Sequence, residues 1–243
     1  FFQEVDTNST RSFQVNQFKM LQESLAKMAS VHVSNFHSAY LFYPILDPHG
    51  VVNSGIATFS KYKIDKVIRK SLEITDAFPS KFFDLDRCFS ASYLKTNHDN
   101  YLVIVNVHLS AYDKGGVYRK KQLQQLNSFL EVEYQKGNYV VCGGDFNHDI
   151  ANSMYVFETK QEKPEWVYAL NNDDLNENFS FATNNNIPTC RSTDMPYEKN
   201  VNYTVVLDGF IVSKNVDVIM VENVDTNFEY SDHNPVYMKF VLK

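Results

Sequence analysis

One stretch, YVVCGGDFN at residues 139–147, joins an apolar run to two glycines and an Asp-x-Asn pair. The run 139–142 is typical of a short buried strand. Two glycines let the backbone turn sharply and let a ligand approach it closely. Side chains two residues apart in an extended chain point the same way, so Asp145 and Asn147 project together beyond the strand end. Taken alone, the pair slightly favours an ordinary Asx-rich turn.

The elements around this stretch predict a mixed α/β domain. Residues 101–107 show the clearest strand pattern, and residues 117–135 carry a helical stripe of leucines that ends near Gly137. A strand, a long helix and a second strand in this order are typical of mixed α/β folds. Shorter patterns predict further strands at residues 55–59, 62–75, 82–93, 205–212, 216–221 and 235–242. We expect one domain over residues 1–243.

Three segments carry weaker patterns. Apolar residues at helical spacing predict an amphipathic helix over residues 11–29. Residues 150–200 are rich in Asn, Asp and Pro and predict loops with short elements. An aromatic cluster could stack on a base or dip into lipid, although burial in the core is the favoured interpretation. Its members are Phe36, His37, Tyr40, Phe42 and Tyr43.

Composition and charge exclude several classes of protein. The chain is 44% hydrophobic and 14% aromatic, which is incompatible with a wholly disordered protein. With 23 basic and 29 acidic residues the net charge is −6, and the sequence shows no basic stretch of the size that suits duplex DNA. The three cysteines are widely spaced and predict neither a disulfide framework nor a structural zinc site. No apolar run reaches the ~18 residues of a membrane-spanning helix.

Four further polar motifs lie at predicted strand ends. YSDHNP at residues 230–235 places a carboxylate beside an imidazole, which can serve as the base for a water nucleophile. NVHLS at residues 106–110 ends the clearest strand with a histidine, and LDGF at residues 207–210 opens a strand with a carboxylate able to orient a histidine. Glu4 follows an apolar pair and suits a Mg²⁺ ligand. Each motif alone is also what an ordinary loop contains.

The ordered set of motifs resembles the endonuclease/exonuclease/phosphatase superfamily. The resemblance spans the chain from Gln3 to Pro235, and its most specific signatures are Gly-Asp-Phe-Asn and Ser-Asp-His. It implies an α/β (α+β) fold, a four-layer sandwich in which two mixed β-sheets pack face to face between flanking helices. More narrowly, three segments resemble uncharacterised members from Gram-positive bacteria, at residues 108–112, 143–149 and 230–236.

The resemblance also implies a metal centre. Glu4, Asp145 and Asp232 would bind a divalent cation, Mg²⁺ or Mn²⁺. Asp145 and Asn147 would position the nucleophilic water and the phosphate. Chemically, a carboxylate and an amide can hold both a hard cation and a phosphate oxygen or a water.

The same resemblance implies how the reaction is assisted. His233 would act as the base or as a cation that contacts the phosphate, and Asp208 would orient it. His108 would contact the scissile phosphate. Arg87 and Arg191 are candidates for holding a substrate phosphate bidentately, and structural ion pairs are the alternative for both.

The front of the chain departs from the family pattern. Family members carry an Asn at the end of an earlier strand, whereas this sequence opens at Phe1-Phe2 without Met. We therefore expect the domain to lack its N-terminal strand or strands. Similar bacterial proteins often carry an N-terminal hydrophobic anchor, so an extracytoplasmic, membrane-anchored location through a segment outside this sequence is one expectation. The sequence itself leaves localisation open.

These expectations define a divalent-metal-dependent phosphoester hydrolase, a monomer that acts by water attack on a phosphodiester or phosphomonoester. A small molecule or a lipid head group is favoured over duplex DNA because the chain is acidic. Two alternatives remain. One is a nonspecific endonuclease or exonuclease, and the other is a catalytically inactive binding module of the same fold.

Overall fold

The structure, a computed structural model, describes residues 1–42, 45–74, 86–111 and 117–243. Two α-helices are described, α1 (Gln17–Ser24) and α2 (Val117–Gln135), with a short 3-10 turn at Asn172–Asp174. The strands are β1 (Phe2–Asp6), β2 (Ala29–Leu41), β3 (Gly50–Ser60), β4 (Lys66–Ser71), β5 (Cys88–Lys95), β6 (Tyr101–His108), β7 (Tyr139–Asp145), β8 (Phe179–Ala182), β9 (Cys190–Arg191), β10 (Thr204–Val205), β11 (Asp208–Ser213), β12 (Val216–Asn223) and β13 (Val236–Leu242).

The larger sheet has six strands in the order β4-β5-β6-β7-β11-β8. Neighbouring strands are antiparallel except β6 and β7, which run parallel. A parallel pair needs a crossover connection, and α2 supplies it between these two strands. The predicted strand–helix–strand unit is therefore present, and the sheet is mixed.

Helix α2 covers one face of the six-stranded sheet. Its Leu126 and Leu130 are fully buried against the alternate side chains Val103, Val105 and Val107 of β6. Alternation in a strand sends every second side chain to the same face, so one set of β6 residues can serve the helix alone. The predicted helix at residues 117–135 is confirmed with the same bounds.

A three-stranded antiparallel sheet, β1-β3-β2, lies against the opposite face. The buried Asn106 of β6 joins the two sheets, because its side chain accepts from Gln3 Nε2 at 2.8 Å and donates to the Ala57 carbonyl at 3.0 Å. Helix α1 packs outside this second sheet, where Phe18 contacts the rings of His32 and Phe59. The α/β sandwich with flanking helices is confirmed.

The helix predicted over residues 11–29 is present, but its predicted bounds are wrong. The chain is helical only at Gln17–Ser24, because Phe13 and Gln14 have left-handed φ angles of 53° and 61° that a right-handed helix cannot contain. The helix begins after Asn16, whose side chain accepts from the Lys19 amide at 2.8 Å. From residue 29 the chain is already extended as β2.

Core burial of the aromatic cluster is also wrong for its described members. These residues lie on β2 and just after it; Phe36 is half-buried, whereas His37, Tyr40 and Phe42 are exposed. Tyr43 lies outside the described residues. No strand was predicted here, although residues 29–34 alternate apolar and polar side chains; the alternation breaks at Asn35, and two prolines follow the strand.

The remaining predictions differ mainly in their bounds. The strand expected at residues 62–75 is β4 at Lys66–Ser71, and the one expected at 82–93 is β5 at Cys88–Lys95; residues 75 and 82–85 lie outside the described part. The run 205–212 divides into β10 and β11. Residues 150–200 consist of loops and short elements, as predicted.

Candidate active site

Strand register brings three predicted site residues into one row. In the parallel pair of β6 and β7, His108 lies opposite Asp145. In the antiparallel pair of β7 and β11, Asp145 lies opposite Asp208. Partners in neighbouring strands lie ~5 Å apart, so residues 100 positions apart in sequence become neighbours at the edge of the sheet.

The approach of β7 to its neighbour requires the glycine before Asp145. Gly144 has φ 144°, and a Cβ atom there would lie 2.1 Å from the Val107 carbonyl oxygen. Any side chain at this position would displace the backbone that carries His108. The second glycine of the YVVCGGDFN stretch thus fixes the spacing between the first two residues of the row.

His233 reaches the row from the loop before β13. Its backbone forms an isolated antiparallel bridge with Cys190, and the flanking hydrogen bonds run from the Arg191 amide to the Asp232 carbonyl, 3.1 Å, and from the Asn234 amide to the Thr189 carbonyl, 2.7 Å. This anchoring places His233 Nδ1 2.7 Å from Asp208 Oδ2. The other ring nitrogen, Nε2, lies 4.0 Å from Asp145 Oδ2.

Thr189 is a positioning residue that the motifs did not indicate. It is fully buried, and its hydroxyl oxygen accepts from the amides of Leu207, at 3.0 Å, and Asp208, at 3.1 Å. Its carbonyl accepts from the Asn234 amide. One residue therefore holds both the strand that carries Asp208 and the loop that carries His233. The only sequence signal was its place in the PTCR segment at residues 188–191.

Asp145 and Asn147 form a tight local unit. The Asn147 backbone amide donates to Asp145 Oδ1 at 2.8 Å, and its side-chain amide donates to Asp145 Oδ2 at 3.1 Å and to the Leu109 carbonyl at 2.8 Å. Asn147 has a left-handed φ of 51°, a conformation that Asn tolerates better than most residues. The Asx turn is therefore present, and it lies where Asp145 faces His108 and Asp208 in the neighbouring strands.

Burial and charge shift the pKa values of the row. Burial raises the pKa of Asp145 above its usual range, and the nearby Asp208 carboxylate adds to this. Burial, followed by the positive charge of Arg87, lowers the pKa of His108 well below its usual value, so this imidazole is neutral. Burial also lowers the pKa of His233, but the Asp208 carboxylate outweighs it, so the net pKa is well above the usual value.

The expected metal ligands line the site without forming a complete shell. Glu4 and Asp232 line the same cleft as Asp145, and all three offer the oxygen ligands that hard cations prefer. Within the described ranges, no three side chains of the His, Cys, Asp or Glu types are close enough to hold one ion. Glu4 is largely exposed and lies 3.5 Å from Arg11 Nη1. The chemistry of the donors fits a divalent cation, with the Glu4 carboxylate facing Arg11 in this structure.

Two adjoining hollows of about 550 and 540 Å³ form one cleft across the row. Both hollows are lined by Glu4, His108, Asp145, Asp232 and His233. One half is rich in phenylalanine side chains, namely Phe1, Phe2, Phe59 and Phe210. The other half is polar. The site residues therefore lie where an apolar and a polar surface meet.

Both predicted arginines line the polar half of the cleft. Arg191 donates from Nη1 to the Ser192 carbonyl at 2.9 Å, and its buried Nε has no hydrogen-bond partner among the described residues. No carboxylate in the described ranges lies within ion-pair distance of Arg191. Arg87 is buried and adds positive charge near Asp145 and His108.

The chain has the fold of the endonuclease/exonuclease/phosphatase superfamily, as solved structures show. The human nocturnin catalytic domain with bound sulfate anion superimposes with a TM-score of 0.59 at 18% identity, over 94% of this chain and 77% of that one. The endonuclease/exonuclease/phosphatase from Bacteroides vulgatus gives a TM-score of 0.63 at 15% identity, over 94% and 81%. Identities this low show the fold alone.

A curated relative is the inositol phosphosphingolipids phospholipase C of Schizosaccharomyces pombe. The two are 24% identical over 245 residues, which cover 88% of this chain. The chain spans 58% of the length of that relative. No protein-family model matches the chain. An origin in Gram-positive bacteria stays a prediction.

The helices in the described ranges include none with the length and apolar character needed to cross a bilayer.

Proposed function

We propose that this chain carries the reaction centre of a divalent-metal-dependent phosphoester hydrolase of the endonuclease/exonuclease/phosphatase superfamily. The observation that supports this proposal is the contact of 2.7 Å between His233 Nδ1 and Asp208 Oδ2. Asp208 lies opposite Asp145 in the sheet, and Asp145 lies opposite His108. An imidazole oriented by a carboxylate beside a second carboxylate is a proton-transfer device. Its place in a cleft with an arginine that has no carboxylate partner among the described residues favours an anionic substrate.

His233 would assist the attack of water on phosphorus. When Nδ1 donates to Asp208, the lone pair of the neutral ring lies on Nε2, on the side of Asp145. That atom accepts the proton of the water as the oxygen–phosphorus bond forms. The protonated ring would instead donate from Nε2 to a phosphate oxygen, and the raised pKa of His233 favours this form when no substrate or metal is bound. Asp208 stabilises the ring in both forms.

The residues of the row would fix the water and the phosphate. Asp145 accepts from Asn147, which leaves the carboxylate held by two donors in a fixed orientation. A carboxylate locked in this way can align a water without reorganising during the reaction. His108 Nε2 lies 3.4 Å from Asp145 Oδ2, and this neutral ring can donate to a phosphate oxygen.

A divalent cation, Mg²⁺ or Mn²⁺, would be held by Glu4, with Asp145 and Asp232 as the other candidate donors. When bound, such an ion withdraws charge from a phosphoryl oxygen. Arg11 competes for Glu4, since the two lie within ion-pair distance.

The substrate would be a small phosphate ester or a lipid head group, bound as its phosphate by Arg191 and Arg87. Arg191 has guanidinium donors that no carboxylate of the described residues occupies, and the planar guanidinium matches two phosphate oxygens. The relative in Schizosaccharomyces pombe is by name a phospholipase C for inositol phosphosphingolipids, which supports the lipid head group.

The test is hydrolysis of bis-p-nitrophenyl phosphate, nucleotides, sphingolipids and DNA in the presence of Mg²⁺ or Mn²⁺. We expect His233→Ala to lower kcat by roughly 10²- to 10⁴-fold, the usual contribution of a positioned acid or base. Chelation with EDTA should abolish turnover, and either metal should restore it.

The matched control is His98→Ala, since His98 is exposed in the loop between β5 and β6 at the other end of these strands. It should leave kcat unchanged. Equal turnover by the wild type and His233→Ala on every substrate would refute the mechanism. Turnover by neither protein on any substrate, with folded protein and metal present, would favour the inactive binding module.

A further inference from the structure

A fully buried carboxylate lies close to the candidate active site in sequence and takes no part in the proposed chemistry. Asp149 stands two residues after Asn147. Its side chain accepts from the backbone amides of residues 151, 153 and 154 at distances of 2.7–3.1 Å. It also accepts from the hydroxyl of Ser153 at 2.9 Å. A carboxylate away from water needs such donors, and here they fold residues 149–154 into one closed loop.

The hydroxyl of Ser153 connects this loop to a distant segment of the chain. Ser153 is fully buried, and its Oγ accepts from the Val206 amide at 2.8 Å. A serine hydroxyl has one proton, and Asp149 Oδ1 accepts it. The lone pairs of Oγ are therefore turned toward Val206. A buried charge thus fixes the direction of the acceptor that holds this amide.

Three consecutive amides at the start of β11 are held by buried hydroxyl groups. Val206 donates to Ser153, and both Leu207 and Asp208 donate to Thr189 Oγ1 at 3.0 and 3.1 Å. Thr189 also accepts from the loop that carries His233, as described above. Two hydroxyl groups from different loops therefore set the backbone that leads to the orienting carboxylate.

The carbonyls of the same segment are bound to the loop after β7. The Phe146 amide donates to the Leu207 carbonyl at 3.1 Å, and the Ile150 amide donates to the Val206 carbonyl at 3.3 Å. The loop after β7 begins at Asp145, where the water-positioning residues lie. The segment 206–208 is thus held on its amide side by hydroxyl groups and on its carbonyl side by the loop that follows Asp145.

We propose that Asp149 and Ser153 are positioning residues that hold Asp208 where it can orient His233. This inference rests on the proposed function, in which the Asp208 carboxylate orients that imidazole. Without the Ser153 hydroxyl, the segment before β11 loses one of its two hydroxyl anchors, which weakens the support of the 2.7 Å contact. A misplacement of about 1 Å near the reacting atoms can cost roughly 10²-fold in rate. Because proton transfer depends on this contact and phosphate binding does not, kcat should fall more than the affinity.

The experiment compares Ser153→Ala with Ser213→Ala, a matched control in the same strand. Ser213 is also fully buried, and its hydroxyl oxygen accepts from the Val140 amide at 2.9 Å, at the end of β11 opposite to Asp208. Both variants should lower the urea midpoint of unfolding by similar amounts. With bis-p-nitrophenyl phosphate, Ser153→Ala should lower kcat by about tenfold or more and keep KM within about threefold. Ser213→Ala should keep both constants within about threefold of the wild type.

Hydrogen exchange of the backbone amides supplies a measurement that needs neither substrate nor metal. Ser153→Ala should speed the exchange of the Asp208 and Asn234 amides, since both donate to Thr189 beside the loosened segment. Ser213→Ala should speed exchange only around Val140. Faster exchange at Asp208 and Asn234 in a protein without turnover would support the positioning role and contradict the proposed function, so the two are tested separately.

Two results would overturn the inference. One is an equal fall of kcat in Ser153→Ala and Ser213→Ala, which would mean that both hydroxyl groups act through stability alone. The other is unchanged exchange at Asp208 in Ser153→Ala. If this variant does not fold, Ser153→Cys replaces it, since a thiol is a weaker donor and acceptor in nearly the same space, and the same two results apply.

Discussion

Asp208 and His233 should make the stability of the metal-free protein depend on pH. The folded-state pKa of His233 is raised above the ~6.5 of an unfolded chain, so the contact stabilises fully below about pH 6.5 and its contribution is lost as the pH rises through the raised value. We expect Asp208→Asn to lower the free energy of unfolding by about 1–3 kcal/mol at pH 6 and by less at higher pH. Urea unfolding in EDTA at several pH values measures this.

Asn is the informative replacement for Asp208. Its side-chain oxygen can still accept from His233 Nδ1, and the negative charge is lost. Asp99→Asn, in the exposed loop between β5 and β6, controls for a general effect of removing one carboxylate charge. A loss of stability in Asp208→Asn that is equal at every pH would show that the contact is an uncharged hydrogen bond, contrary to the raised pKa of His233.

The motifs predicted which residues converge in the candidate site, and they missed the residues that hold its backbone in place. The contact of His233 with Asp208 was expected because both types stand at strand ends in a known order. Thr189 gave no such signal, and Asp149 stood out only as the last residue of the segment 143–149. Asp149 is fully buried and accepts from three amides, those of Ala151, Ser153 and Met154. Such roles depend on which segments meet in space, and no local pattern records this.

At the scale of elements, Thr189 joins the short strand β9, strand β11 and the loop before β13. Thr189→Val keeps the shape and removes the hydroxyl, which leaves the buried amides of Leu207 and Asp208 without that acceptor. We expect a loss of about 2–6 kcal/mol in stability, since two amide donors lose their acceptor and each costs ~1–3 kcal/mol when left unpaired. We also expect a fall in kcat with little change in KM, because the contact of Asp208 with His233 loses its support. Urea unfolding and steady-state kinetics measure both.

Thr189→Ser is the matched control. It retains the hydroxyl acceptor and should keep kcat within about threefold of the wild type, with only the small stability loss of one buried methyl group. If Ser and Val variants behave alike, the hydroxyl has no positioning role and packing of the methyl group explains the site.

Elements near the chain's start were harder to predict than those in the middle. Helix α2 has apolar residues on one face and a glycine after its end, and both bounds followed from the sequence. The segment 11–29 has apolar residues at helical spacing as well, yet left-handed residues at Phe13 and Gln14 stop it. Backbone angles of this kind are set by the contacts of Thr10 and Ser9 with β3, which are long-range.

At the scale of the whole molecule, the four-layer arrangement followed from resemblance more than from periodicity. Local patterns predicted strands but not their pairing. The parallel step between β6 and β7 is an exception, because a strand, a helix and a strand in sequence indicate it. The order of β11 between β7 and β8 has no local signal, and it is this order that places Asp208 beside Asp145.

The overall charge predicts how activity should respond to salt. With 29 acidic and 23 basic residues, the chain has no excess of cations to replace the counterions of duplex DNA. A protein that contacts six to ten phosphates loses roughly 10³–10⁵ in affinity between about 50 and 200 mM salt. For a small phosphodiester bound chiefly by Arg191 and Arg87, we expect kcat/KM to change by less than about threefold over that range. Plasmid nicking that persists at physiological salt and disappears in Asp145→Ala would instead establish the nuclease. A steep salt dependence of kcat/KM for the small ester would show that basic residues other than Arg191 and Arg87 contact the substrate.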